Sequence, residues 1–333
     1  MAHTDTGGRM LKADGLLLLT AGIWGFAFVA QRVGMEHVGP FGFNGVRFAL
    51  GCLVLLPPLL RNGLRAGNPS PRHPGLLSLP CLGGGLLAGL VLFGGASFQQ
   101  VALVYTTAGK AGFITGLYVV LVPVIGLAFG HRTHAGTWIG TLLAAVGLCL
   151  LSVTEQLSFA PGDLLVLVGA CFWAAHVLLI GWLSPRQDPL TLAFVQYAAC
   201  AILSLIASAV IESNTVGRYL SAAIPILYGG VLSVGVAYTL QVVAQQEAKP
   251  AHAAIILSLE AVFAALGGWL LLGEILTPRG MLGCALMFCG MLVSQLWRAP
   301  RNWGRCFFNC IMILCITLCL ARRAWMPRRL CTT

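Results

Sequence analysis

The chain has 333 residues, 58% of them hydrophobic and 9% charged, with a mean hydropathy of +0.88. A soluble domain is about 45–50% apolar and about 25% charged, so these side chains cannot clothe a soluble globule, and a soluble enzyme, a disordered chain and a nucleic-acid-binding domain are excluded. The formal charge of +10 does not reverse this: residues 298–333 hold seven arginines and no acid, and a basic tail beside a membrane reads as cytoplasmic and lipid-facing.

Apolar runs of roughly 18–25 residues succeed one another, each long enough to cross a ~30 Å hydrocarbon core. They fall at 14–33, 40–60, 76–101, 107–129, 135–154, 162–183, 190–211, 221–244, 251–272 and 279–297. This predicts an all-α polytopic membrane protein with ten transmembrane helices. The first run has the outline of a signal peptide, with Arg9 and Lys12 ahead of a leucine run, but nine further spans make it an uncleaved helix. A polar loop follows the second run at 61–75. Pro161-Gly162-Asp163 opens the sixth, with Asp163 in its first turn, where a carboxylate suits the helix dipole. Turn residues at 184–189 and at Thr277-Pro278 punctuate later breaks.

With the N-terminus inside, the inner segments carry Arg9, Lys12, Arg61, Arg65, Arg72, Arg132, Arg186 and Lys249. The outer ones carry Arg32, Lys110, Arg218 and Arg279. That bias places both termini in the cytoplasm. The 41 glycines suit close helix crossing. GxxxG spacings beginning at Gly85, Gly112, Gly126 and Gly136 are expected to serve packing inside the bundle, with a homodimer as the alternative. The twelve cysteines show no disulfide framework; seven sit in apolar runs and five in the tail.

The second half aligns with the first. At an offset of 149, Trp24 falls on Trp173, Pro40 on Pro189, Arg47 on Gln196 and Phe48 on Tyr197. Gln100 meets Gln241 at 141, and Gly130, Gly140 and Gly147 meet Gly273, Gly283 and Gly290 at 143. Each repeat holds five spans, an odd number, so the second copy enters the membrane upside down. Inverted repeats characterise secondary transporters, whose sites lie at the repeat interface near the midplane. The expected organisation is a cytoplasmic N-terminus at 1–13, repeats at 14–155 and 161–297, and a basic, Cys-rich tail at 298–333.

The stretch from Trp24 through Pro40 to Arg47-Phe48 resembles the start of an EamA-type repeat. AGKAGFITGLYVVLVPVIG (108–126) looks like the fourth helix of the first repeat, GDLLVLVGACFWAAHVLL (162–179) like the start of the second, and SLEAVFAALGGWLLLGE (258–274) like its fourth helix. The chain thus resembles the EamA family of the drug/metabolite transporter superfamily. Ala261 stands where that family usually has proline, and Gly130-His131 replaces a common Gly-Glu, although Gly273-Glu274 is kept. The resemblance implies a ten-helix inner-membrane carrier that exports small metabolites without a bound cofactor.

Ionisable residues inside spans are functional candidates by default, because a charge at the bilayer centre is costly. Glu260 leads. It could bind a proton or a substrate amine in one state and release it in the other; the plainer alternative is a carboxylate capping a helix break. The repeat sets it opposite Val122. Arg47 could contact an anionic substrate group or pair with Glu36, but an arginine snorkelling to the outer interface is the favoured reading. Lys110 reads as interfacial. His176 could relay protons or simply pack. Gln100, Gln196 and Gln241, with Gln99, can bond zwitterionic ligands or act as interhelical glue. Trp24, Trp173, Tyr118 and Tyr238 could wall a pocket.

His131 and His134 lack the neighbours of a metal site. No P-loop, nucleophile elbow or triad appears in the sequence, so the expectation is a non-enzyme. The expected function is secondary transport of a small polar metabolite, amino-acid-like or drug-like, with efflux by alternating access. A lipid flippase, a membrane enzyme and a non-transporting subunit are the alternatives. The partners are a small-molecule substrate and the lipid bilayer, with proton coupling and a homodimer left open and nucleic acid excluded. In the tail, the apolar stretch 306–320 is read as dispensable, with an eleventh span as the alternative.

Overall fold

The computed structural model describes residues 3–65, 79–105, 108–131, 133–152, 161–271 and 277–297. The tail with its apolar stretch, the centre of the 61–75 loop, the Lys110 side chain and the Gly273-Glu274 pair lie outside what it describes. Among the described residues the secondary structure is helical throughout. Nine stretches are long and apolar enough to cross a membrane, and Ala135–Leu150 is a shorter apolar helix beside them.

The first repeat runs α1 (His3–Gly34), α2 (Pro40–Arg65), α3 (Leu79–Tyr105), α4 (Ala108–Gly116), α5 (Tyr118–Ala128) and α6 (Ala135–Ser152). Helix α1 thus begins well ahead of the expected start at 14. The second repeat runs α7 (Pro161–Leu183), α8 (Pro189–Ile211), α9 (Val216–Ser221), α10 (Ala223–Leu227), a π-helical stretch Tyr228–Tyr238, α11 (Thr239–Ala244), α12 (Pro250–Leu257), α13 (Glu260–Leu271) and α14 (Pro278–Leu296). Proline opens α2, α7, α8, α12 and α14, where its fixed φ and missing N–H cost nothing.

The fourth span of each repeat is broken at corresponding places. In the first, Leu117 interrupts the helix and donates from its N–H to Ile114 O at 3.2 Å; in the second, Leu259 does the same to Ile256 O at 3.1 Å. Ser258 Oγ also donates to Ile255 O at 2.8 Å, a side-chain bond that competes with the helix ladder. The second break therefore forms with Ala261 in place of proline. These matched breaks set Tyr118, the first residue of α5, opposite Glu260, the first residue of α13. This corrects the alignment of Glu260 with Val122: the breaks pair at an offset of 142, between the 141 of Gln100–Gln241 and the 143 of the spaced glycines, whereas Val122 would need 138.

The repeats interlock about a pseudo-two-fold axis. Helix α1 packs on α13 and the π-helical stretch, and α7 packs on α3, α4 and α5, so the first helix of each repeat lies inside the other. Helix α6 pairs with α14. A Cβ on Gly140 would stand 2.6 Å from Gly290 O, and one on Gly147 would stand 2.5 Å from Gly283 O. Gly140 and Gly283 are repeat partners, as are Gly147 and Gly290, so each glycine meets the other's partner, as a two-fold axis between antiparallel helices requires. Gly85 and Gly89 likewise seat α3 on Val195 and Ala199 of α8. These small-residue spacings serve packing within the chain.

Candidate functional site

A cavity lies where α1, α2, α3, α7 and the π-helical stretch converge on the two helix breaks. About 30 Å³ of it accommodates the centre of a water-sized sphere, room for about two water molecules. Trp24, Phe28 and Gln31 from α1 line it, with Arg47, Gln99, Thr115, Tyr118, Trp173, His176, Val177, Ser233, Tyr238, Gln241, Leu257 and Glu260. Nine of the eleven residues singled out from sequence as pocket or ligand candidates, Gln99 among them, meet here. Gln100 and Gln196 do not line the cavity: Gln100 is fully buried elsewhere in α3, and Gln196 Oε1 accepts from His176 Nε2 at 2.9 Å. Phe28, Gln31, Thr115, Val177, Ser233 and Leu257 were not foreseen.

The aromatic wall has Tyr238 at its centre. Trp24 lies 4.5 Å from it between ring centroids, and Trp173 stacks on it at 6.0 Å. The two repeat-related tryptophans thus flank one tyrosine, and each is fixed by its indole N–H. Trp24 Nε1 donates to Ser233 O at 3.3 Å, and Trp173 Nε1 donates to Gln99 Oε1 at 2.9 Å. Gln99 in turn donates to Gln31 Oε1 at 3.2 Å. A Cβ on Gly25 would stand 2.3 Å from Phe263 Cβ and 2.7 Å from Glu260 O; only glycine lets α1 approach the start of α13 so closely.

Arg47 does not snorkel. Its side chain is 2% exposed, and its guanidinium carbon lies 5.0 Å from the Phe48 ring centroid and 5.7 Å from that of Phe43. Glu36 is exposed and makes no ion pair with it. The aromatic rings that flank Arg47 on its own helix hold it inside, where depth along the span alone suggested an escape to the interface. Glu260 is 5% exposed. Its carboxylate makes no ion pair and accepts no backbone N–H among the described residues, so it does not cap the break. The Tyr118 hydroxyl stands beside it without an ordinary hydrogen bond.

A buried cation and a buried carboxylate therefore face one cavity without pairing with each other. Among the described residues, Arg47 Nε itself and four further polar atoms of the lining have no hydrogen-bond partner: Thr115 Oγ1, Tyr118 Oη, His176 Nδ1 and Gln241 Oε1. Buried polar atoms are nearly always satisfied, so these atoms are open to hydrogen bonds from a polar ligand or water in the cavity. His131 and His134 are exposed, and no group of three metal-ligating side chains occurs among the described residues.

The EamA-like transporter family model matches residues 11–153 and again 160–296. The chain belongs to this family. A transporter of Archaeoglobus fulgidus, described as uncharacterized, is 35% identical over 295 residues, covering 87% of this chain and 88% of its own. The inner membrane transporter YedA of Escherichia coli K12 is 30% identical over 170 residues, 50% of this chain and 52% of its own. A "probable amino-acid metabolite efflux pump" of the same organism is 25% identical over 318 residues, 89% of this chain and all of its own. A crystal structure shares the fold at a TM-score of 0.67 and 21% identity, covering 86% of this chain and 96% of that one. This EamA-family protein is thus a multi-pass membrane transporter of two inverted repeats that acts on a small molecule.

Proposed function

We propose that this EamA-family protein exports small zwitterionic, amino-acid-like metabolites by alternating access about the central cavity. Ten helices, in units 14–155 and 161–297 with both termini in the cytoplasm, form the carrier. One observation carries the reading: Arg47 and Glu260 present opposite, unpaired charges to one aromatic-walled cavity. A zwitterion supplies both missing partners, its carboxylate to Arg47 and its ammonium to Glu260, and leaves the cavity neutral. A charge-assisted hydrogen bond contributes about 1.5–3 kcal/mol, so each pole adds roughly ten- to a hundredfold to affinity. In the empty carrier a proton on Glu260 replaces the ammonium, which couples substrate export to proton return.

Counterflow in proteoliposomes tests this with three related probes: leucine, its decarboxylated amine and its deaminated acid. Exchange of leucine at least about tenfold faster than either single-charge analogue is expected. Equal exchange of the amine or the acid would overturn the zwitterion reading.

A further inference from the structure

Two chains of buried amides end at the cavity, and their partners fix which atom each amide turns toward it. Val177 O is a backbone carbonyl and can only accept. Gln245, just past the end of α11, donates to it from Nε2 at 2.9 Å. Its Oε1 therefore faces the other way and accepts from Gln241 Nε2 at 3.0 Å. This relay leaves Gln241 Oε1 as its last atom. Gln241 lines the cavity, and that oxygen has no hydrogen-bond partner among the described residues. Both glutamines are 1% exposed. Neither can turn its amide round without setting two acceptors against each other.

The second chain runs in the opposite sense. It starts at the Trp173 indole N–H, which can only donate, and passes through Gln99 to Gln31. Its last atom is a nitrogen, Gln31 Nε2. The hydroxyls of Thr115 and Tyr118 also line the cavity without partners, but a hydroxyl donates or accepts as its neighbour requires. Gln241 Oε1 has no such freedom and demands a donor.

The acceptor relay belongs to the second repeat alone. Gln100, the repeat partner of Gln241, does not line the cavity. At the same offset of 141, Val104 stands where the second repeat has Gln245, and a valine side chain orients no amide. The relay is therefore not part of the duplicated scaffold.

We infer that Gln241 is a specificity-determining residue that selects primary amines, and that Gln245 is its positioning residue. This rests on the zwitterion reading above, in which the substrate ammonium lies against Glu260, and narrows it. A primary ammonium carries three N–H donors, enough to serve the Glu260 carboxylate and Gln241 Oε1 together. An N,N-dimethylated ammonium keeps the charge but has a single N–H. When Glu260 takes that one, Gln241 Oε1 is left buried and unpaired, which is penalised. A quaternary ammonium has none to give. Glu260 alone reads charge; the neutral oxygen beside it reads the number of donors, and a site built to hydrogen-bond a ligand group rejects analogues that lack it.

Counterflow in proteoliposomes containing the full chain tests this with leucine, N,N-dimethylleucine and the deaminated acid of leucine. The wild type should exchange leucine at least about tenfold faster than N,N-dimethylleucine. Gln241→Met keeps length and bulk without the acceptor, and Gln245→Met leaves the Gln241 amide free to turn. In each variant leucine should slow, and its advantage over N,N-dimethylleucine should shrink below about threefold. The added methyl groups weigh on wild type and variant alike, so the change in ratio isolates the acceptor. A merely structural role would slow all three probes together and leave the ratio where it was. Equal exchange of leucine and N,N-dimethylleucine by the wild type overturns the inference, as does a ratio that survives Gln241→Met. In either case leucine that still outruns the deaminated acid leaves the zwitterion reading standing. Leucine no faster than the deaminated acid overturns both. A ratio lost in Gln241→Met but kept in Gln245→Met overturns the positioning role, and failure of both variants to reconstitute overturns the whole, because the relay then serves folding.

Discussion

Replacing Arg47 by methionine should raise the stability of the ligand-free protein and remove ligand binding, two effects of opposite sign. Arg47 is 2% exposed and, among the described residues, has no carboxylate partner and leaves Nε without an acceptor. Its contacts with the Phe48 and Phe43 rings, at 5.0 and 5.7 Å, return about 2 kcal/mol. Desolvating the charge costs several kcal/mol, and the orphaned donor adds about 1–3 kcal/mol. Methionine keeps a flexible apolar stem between the same two rings, so the ligand-free carrier should gain about 1–3 kcal/mol. The ligand carboxylate loses a charge-assisted bond, which weakens binding by roughly ten- to a hundredfold. Thermal unfolding in detergent, with and without leucine, reads both quantities on one sample. A ligand-free variant that melts well below wild type, or one that leucine still stabilises equally, would refute the reasoning that Arg47 is held for its ligand.

Glu260→Gln should keep the fold and the melting temperature while slowing leucine counterflow by about tenfold or more, with little effect on the deaminated acid; unchanged leucine exchange contradicts the ammonium role. Gly140→Leu drives a side chain into Gly290 O, 2.6 Å from the position of its Cβ, and should cost about 1–3 kcal/mol; an unshifted unfolding transition contradicts the close α6–α14 approach. Glu212 accepts from the N–H groups of Phe41 and Gly42 and from Ser208 and Asn214, all at 2.8 Å. Glu212→Ala uncaps α2 from across the repeat interface and should cost about 1–2 kcal/mol, read as a lower melting temperature. Truncation after Arg298 should leave insertion and counterflow intact, since the family match ends at 296; loss of membrane insertion contradicts this.

The spans were legible because apolar runs of membrane-crossing length admit few other readings, and the inverted repeat because Trp24, Pro40 and the spaced glycines recur. The aromatic and charged walls of the cavity were legible for the same reason: ionisable and aromatic residues are conspicuous inside apolar runs. Gln31, Thr115 and Ser233 were not, because neutral polar residues in helices carry no pattern that separates lining from packing. The burial of Arg47 depends on Phe43 and Phe48 sharing its side of α2, which depth along a span does not encode. The helix breaks fall at Leu117 and at Ser258-Leu259, with neither proline nor glycine at the interruption itself. Asp14, His252 and Ser294, hydrogen-bonded in a row at 3.0 and 2.9 Å, lie on three helices far apart in sequence, and no spacing rule joins them.

The exchange of first helices between the repeats has a consequence for how the chain is made. Helix α1 carries Asp14, Thr20 and Gln31 in its buried face, and Thr20 donates to Ala237 O, 217 residues downstream. Gln31 meets Gln99 on the third span, but among the described residues Thr20 and Asp14 reach their partners on other helices only once the eighth and ninth spans have been synthesised. The first five spans are therefore an incomplete body, with a polar seam waiting in lipid. The second repeat supplies the missing surface with its own residues, His252 and Ala237 among them, so the tandem chain keeps two complementary halves tethered.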